Sequence, residues 1–359
     1  MPEAALADPR VRDLVGPSIA ALERMVQPSG LFGYELVEGE AGMRGESVRY
    51  TLIVLLGLLR ARAAGVDVPQ DLDALVAAAD RSAELTPGDV GLRLWVEARR
   101  RGDDVAALTE RLSASLDQRP LHELEGMEVA WIAIGLAETG ASTARGQELL
   151  ASALDQLLAV NQAKTGLLRH FGASGARRRF PNFATQIYGV LALAVATRAG
   201  VDERALDGSR RCADALLAVQ LPDGGWPWLY DAERGAVVEP YEVYSVHQHG
   251  MAPMALRELA SVAGEPRYAE AATRGEAWMF GANELGQDMA PLHSGMTYRS
   301  IRRRAPLDRL ALYANTAAAR LGRRPLVRAA AAVEINRTCR PYELGWLVEA
   351  AVGETGRSA

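Results

Sequence analysis

Apolar residues recur at i, i+3 and i+4 along almost the whole chain, in runs rich in Ala, Leu, Arg and Glu, while alternating strand patterns are nearly absent. The spacing predicts helices in pairs: 9–26 with 47–64, 70–83 with 88–101, 104–116 with 122–138, and 144–161 with 181–199. The series continues as 204–220 with 240–263, 267–282 with 306–321, and 325–337 with 341–352.

The pairing is written in the residues as well. Gln27, Gln162 and Gln220 each end a helix and are followed by a Gly-containing turn, an aromatic, a long loop and a second helix. Proline stands at the expected opening of four second helices, at Pro181, Pro240, Pro306 and Pro341. It suits the first helical position, where its missing N–H costs nothing. A repeat of this length describes stacked helical hairpins, either as an open solenoid or as a closed α/α toroid. Long connections at 27–46, 162–180, 221–239 and 283–305, against short ones such as 64–70, favour the toroid with its long loops on one rim. No composition break divides the chain. The expectation is an all-α, single-domain α/α toroid spanning residues 1–359, with six or seven hairpins.

Gln220-Leu-Pro-Asp223-Gly-Gly225-Trp226 resembles the QxxDGxW repeat of the terpenoid cyclase and protein prenyltransferase α/α-toroid superfamily. The alternation of such turns with hairpins also looks like the six-hairpin glycosidases and related toroid epimerases and lyases. Residues 224–256, with GGW, a Tyr- and Ser-rich helix start and a Gln-Gly pair, are similar to the uronyl C5-epimerase pattern. The DxDD and DDxxD acids of terpene cyclases are missing. So is the Cys-His-Gly zinc element of the lanthionine cyclases, in whose place stand His247, Gln248 and His249.

Composition narrows the function classes. The chain carries 40 basic and 45 acidic residues, a net charge of −5, which argues against a general nucleic-acid surface. Lys164 is the only lysine, so every basic cluster is a guanidinium cluster. Cys212 and Cys339 make no disulfide framework. The N-terminal residues lack an apolar segment of signal-peptide type, and the longest apolar run, 51–59, is far short of the roughly 20 residues of a membrane span. These features predict a cytoplasmic protein with no integral membrane span; they set no oligomeric state.

The rim loops collect the candidate chemistry. Arg169, Arg299, Arg302 and Arg340 are expected to bind an anion, helped by inner-helix N-termini. Tyr241, Glu242, Tyr244, Ser245, His247, Gln248 and His249 follow Pro240 within three helical turns. Read as one helix, this places His247 on the face of Tyr244, so that the two could shuttle a proton. Glu242 and Glu343 recur in matched Pro-Tyr-Glu triplets and could form an acid–base pair, or cap their helices. His170, Asn182, Tyr188, Trp228, His249, His293, Tyr298 and Tyr342 are further candidates for substrate contact. Trp226 fits a core role, as does Asp223 a turn. No HExxH, CxxC or EF-hand spacing is present, and no nucleotide-binding glycine motif, so neither a metal nor a cofactor is expected.

Together these features suggest a carbohydrate-active enzyme, an epimerase, lyase or glycosidase, whose partner is an anionic small-molecule or oligosaccharide substrate. His247, Tyr244 and Tyr241 would supply acid and base, assisted by Glu242 and Glu343. Two alternatives stay open: an isoprenoid cyclase or prenyl-group enzyme gripping a diphosphate, and a non-catalytic helical binding scaffold.

Overall fold

The computed structural model describes residues 8–40, 42–82, 85–175, 177–291, 295–327 and 333–352. Helices whose surface is apolar almost all round form an inner ring. They are α3 (Val48–Ala63), α5 (Pro87–Arg100), α7 (Gly126–Glu138), α9 (Phe183–Ala199), α11 (Ala252–Ala263) and α14 (Pro341–Val352), with a π-helical turn, His247–Met251, leading into α11. In α9 nearly every residue from Phe183 to Ala196 is buried, as a helix packed on all sides requires. Around the ring lie α2 (Val15–Glu23), α4 (Leu72–Asp80), α6 (Val105–Gln118), α8 (Ala144–Asp155), α10 (Ala205–Leu217) and α12 (Pro266–Met279), with the short α1 (Pro9–Asp13) ahead of α2. These bury one stripe each; α8 turns Leu149, Leu150, Ala153 and Leu154 inward.

The ring closes. Each inner helix packs against the next, and α14 packs against α3. Glycines allow the closest approaches: a Cβ on Gly57 of α3 would lie 2.2 Å from the Gly345 carbonyl oxygen of α14. Each inner helix is backed by the outer helix that follows it, α3 by α4 and α9 by α10, while α2 backs α14 and so joins the two ends of the chain. The tight pairs are thus offset by one helix from the sequence-based pairs.

The Gln–turn repeat has a physical meaning. Gln162 donates from Nε2 to Gly166 and Gly208 carbonyls, and Gln220 does the same to Gly224 and Ala271, so each Gln ties its own turn to the next outer helix. Gly166 and Gly224 hold φ of +95° and +90°, and a Cβ on either would meet a carbonyl oxygen of that helix, at Arg211 and Arg274. Trp226 is fully buried and stacks on Phe183, a core role.

Three expectations are corrected. First, residues 325–337 are not a helix among the described residues. Strands β7 (Val333–Asn336) and β8 (Thr338–Cys339) lie there, drawn into small antiparallel sheets by strands distant in sequence. β7 joins β6 (Ser300–Arg303) and β5 (Val243–Tyr244), while β8 pairs with β1 (Gly33–Val37), itself paired with β2 (Arg44–Glu46). Second, helix does not begin at Pro240. Residues 240–244 leave the hairpin of β3 (Leu229–Asp231) and β4 (Ala236–Glu239) as extended chain, with a cis Tyr241–Glu242 peptide, and helical structure starts after Tyr244. Third, the helix after Pro306, α13 (Leu307–Arg320), is not an inner helix; it lies outside the ring against β4 and β6. The sixth and seventh sequence-based pairs therefore collapse into one, and the ring has six inner helices.

Candidate active site

The long connections gather at the rim where the inner helices begin. Local caps fix those beginnings: Ser47 for α3, a Thr86–Asp89 capping box for α5, and Asn182 for α9, whose Oδ1 accepts from the Thr185 N–H. Asn182 thus caps α9 through that oxygen.

β5, the β3–β4 hairpin and the π-helical turn bring Trp228, Tyr244 and His247 together. The Tyr244 and His247 ring centroids are 5.1 Å apart, and Trp228 lies parallel to His247 and edge-on to Tyr244 at 6.2 and 5.0 Å. The helical stripe expected of Tyr244 and His247 is not their reason for meeting, since Tyr244 is in a strand. Ring Nδ1 of His247 is buried without a hydrogen-bond partner among the described residues. Burial, then the neighbouring Arg299 and His249, push its basicity well below the ordinary histidine value, so the ring is neutral at pH 7. Burial and the Glu242 carboxylate push the Tyr244 phenol upward, keeping it protonated.

Glu242 reaches the same place on the strand. Its Oε2 accepts from the Ser300 hydroxyl at 2.6 Å, across the β5–β6 pairing. Glu242, Tyr244 and Trp228 line a cavity of about 110 Å³ that α13 walls with Asp308, Arg309 and Leu312. Arg309 makes no ion pair among the described residues, although its backbone N–H is held by Asp308. Tyr241 borders the cavity on the other side but is directed elsewhere: its ring lies under the Arg303 guanidinium and its hydroxyl meets Glu284.

Arg299 spans from this cluster to the ring floor. Its guanidinium sits 4.8 Å above the Tyr244 ring and donates to Glu343 at 2.6 Å. Glu343 is fully buried and also accepts from the Arg340 N–H at the start of α14, so it caps the helix as it pairs with Arg299. Burial, outweighing Arg299, pushes its carboxyl up to about 6. Glu242 and Glu343 stand in two different settings, one lining a cavity and one closed.

The arginines expected to hold an anion each meet a carboxylate: Arg169 with Glu233 at 2.6 Å, Arg299 with Glu343 at 2.6 Å, Arg302 with Glu334 at 3.0 Å and Arg340 with Glu35 at 3.6 Å. Arg340 also lies over Tyr34 and donates to the Tyr50 hydroxyl, and Tyr50 stacks near Tyr342. His170 is buried between Thr185, Arg177 and Glu125. Tyr188 is in the core beside Trp131 and Trp346, and Tyr298 is tied at the rim to Glu38 and Arg337. His249 is fully buried, with no hydrogen-bond partner outside its own residue among the described residues, and burial takes it down to about 3. His293 lies outside the described residues.

Sequence reasoning missed Ser300, Arg309 and Tyr50. Ser300 borders the flagged Arg299 but becomes visible only through the strand pairing that sets it against Glu242. No cluster of metal-ligating side chains is found among the described residues, and no helix is long and apolar enough to cross a membrane.

No protein-family model matches the chain, and no curated protein is similar to it. Solved structures are. An unsaturated glucuronyl hydrolase from Bacillus sp. GL1 aligns over 95% of this chain and 96% of its own, at 14% identity and a TM-score of 0.65. A cellobiose 2-epimerase from Bacillus thermoamylovorans B4167 aligns over 96% and 98%, at 10% identity and 0.64. A glycosyl hydrolase of family 88 from Bacteroides vulgatus aligns over 98% and 99%, at 11% identity and 0.63. None of the three is an isoprenoid enzyme. Likeness at this identity establishes architecture, and with the closed ring described above it identifies the chain as an all-α toroid of six helical hairpins.

Proposed function

We propose that the protein is a carbohydrate-active enzyme that moves protons on a sugar bearing an acidic group. The observation carrying this reading is the cavity lined by a carboxylate, Glu242, an aromatic plate, Trp228, and Tyr244, with neutral His247 packed against the Tyr244 ring. Aromatic faces suit the C–H surfaces of sugar rings, and a cavity of about 110 Å³ admits part of one ring. The toroid relatives act on glycuronyl or disaccharide substrates by their printed names, which adds support from architecture alone.

The roles follow from protonation. Tyr244, kept protonated, donates a hydrogen bond, and His247, neutral at pH 7 and in contact with it, takes a proton only in passing during the reaction. Glu242, oriented by Ser300, provides the second acid–base group. Because Arg169, Arg299, Arg302 and Arg340 are engaged by carboxylates, the acidic group of the substrate is assigned to Arg309, which lines the cavity without an ion-pair partner among the described residues. The arrangement serves proton transfer at a ring carbon and glycosidic cleavage alike.

The test is incubation with uronic-acid-terminated disaccharides, saturated and unsaturated, beside cellobiose, with products resolved by chromatography. Conversion of an acidic disaccharide, lost in Glu242→Gln, is the expected result. Conversion of cellobiose alone would remove the acidic-substrate assignment, and conversion of none by a folded protein would overturn the enzymatic reading for these classes.

A further inference from the structure

Large exposed apolar side chains are concentrated on one element. Leu307, Leu310, Tyr313, Leu321 and Leu326 are between 43% and 72% exposed, while Tyr34 and Val201 are the only others among the described residues. Leu310, Tyr313, Ala317 and Leu321 follow at i, i+3, i+7 and i+11, so they share the outward side of α13. Its inward side, at Ala311, Asn315, Ala318 and Ala319, packs toward β4. From Leu310 to Leu321 this gives an apolar stripe about 17 Å long.

The stripe is embedded in positive charge. Residues 301–327 contain seven arginines and one acid, Asp308, in a chain whose net charge is −5. Arg302 and Arg303 are taken up by Glu334 and Glu239, whereas Arg304, Arg309, Arg320, Arg323 and Arg324 are exposed. Leucines interleaved with long guanidinium side chains suit a continuous negative surface with an apolar layer beneath: the leucines enter the layer and the arginines meet the headgroups. A second copy of the chain fits poorly, because facing stripes would set arginines against arginines.

We propose that α13 and the following turn, through Leu326, dock the protein on an anionic lipid surface. Asp308, Arg309 and Leu312 on the same helix wall the candidate cavity. The inference stands apart from the reaction assigned above, since lipid binding is measured without turnover.

The test is cosedimentation of the full chain with phosphatidylcholine vesicles, with and without phosphatidylglycerol, at low and high salt. The expected result is binding to the anionic vesicles only, reversed by salt, and weakened roughly fivefold for each arginine removed in R320Q, R323Q and R324Q. Leu310→Ser with Leu321→Ser is expected to weaken it further while circular dichroism stays unchanged, these side chains being exposed. Equal binding to both vesicles, or to neither, would overturn the proposal. So would binding to soluble polyglutamate without vesicle binding, which marks an acidic protein partner, or a dimer in sedimentation that Leu310→Ser dissociates, which marks a second copy.

Discussion

Tyr244 and His247 lie with ring centroids 5.1 Å apart although one ends a β-strand and the other opens a π-helical turn. The pairing of β5 with β6 therefore sets the Tyr244 position, and β6 belongs to the long excursion between α12 and α14. The inner ring supplies His247; the excursion supplies Tyr244's anchor, Ser300 and Arg309.

If His247 accepts a proton, His247→Gln removes the titrating group while keeping a polar side chain of comparable reach. Turnover is expected to fall by about 10²–10⁴ with little change in the circular dichroism spectrum. Near-normal turnover would leave His247 only its packing against Phe183 and Trp228.

Glu242 and Ser300 offer a graded comparison. Glu242→Gln is expected to lose turnover by about 10²–10⁴, and Ser300→Ala, which removes one hydrogen bond to that carboxylate, by about tenfold. Steady-state kinetics checks both. A Ser300→Ala loss as deep as that of Glu242→Gln would assign Ser300 a direct part in the chemistry.

The ring was legible in the sequence because its signals are local: helical periodicity, Gln-ended helices, glycine turns and a proline such as Pro341 at a helix start. What was not legible depends on partners far away in the chain. Val333–Asn336 reads as helix until β6 is beside it, and Pro240 reads as a helix start until the β3–β4 hairpin precedes it. The arginine loops showed their charge but not the carboxylates that answer it, such as Glu233 for Arg169 and Glu334 for Arg302. His247 and Tyr244 were paired correctly in space from an incorrect helical face.

Ring closure can be tested by stability. Gly57→Ala places a methyl group 2.2 Å from the Gly345 carbonyl oxygen, so it is expected to cost at least about 1–3 kcal/mol. Gly16→Ala, in α2 with nothing within 4 Å of the added methyl, serves as the control and is expected to be neutral or stabilising. Urea unfolding measures both; equal stabilities would deny the close α3–α14 contact.

Acid sensitivity follows from the buried histidines. Burial takes His249 to about 3 and His247 well below its ordinary value, so below pH 6.5 the unfolded chain binds protons that the folded one refuses. Stability is therefore full above pH 6.5 and declines as pH falls, by up to about 1.4 kcal/mol per pH unit for each histidine. Glu343, raised to about 6, works in the opposite direction between pH 4.5 and 6, because its folded form binds a proton more readily. Two histidines outweigh one carboxyl, so stability falls with pH throughout the range from 6.5 to 5. His249→Leu is expected to reduce the slope of unfolding free energy against pH by about half a proton at pH 6.5 and about one proton near pH 5.5, measured by urea titrations across that range. An unchanged slope would contradict the assignment of His249 as neutral and buried.

The cavity lined by Trp228, Glu242, Tyr244 and Arg309 is the proposed sugar site. Calorimetric titration with a uronic-acid-terminated disaccharide and its neutral counterpart, in the wild type and in Trp228→Ala, tests it most directly. The wild type is expected to bind the acidic sugar more tightly than the neutral one, with a loss of about tenfold or more in Trp228→Ala. Binding of neither sugar by the folded wild type, or equal affinity in Trp228→Ala, would contradict it.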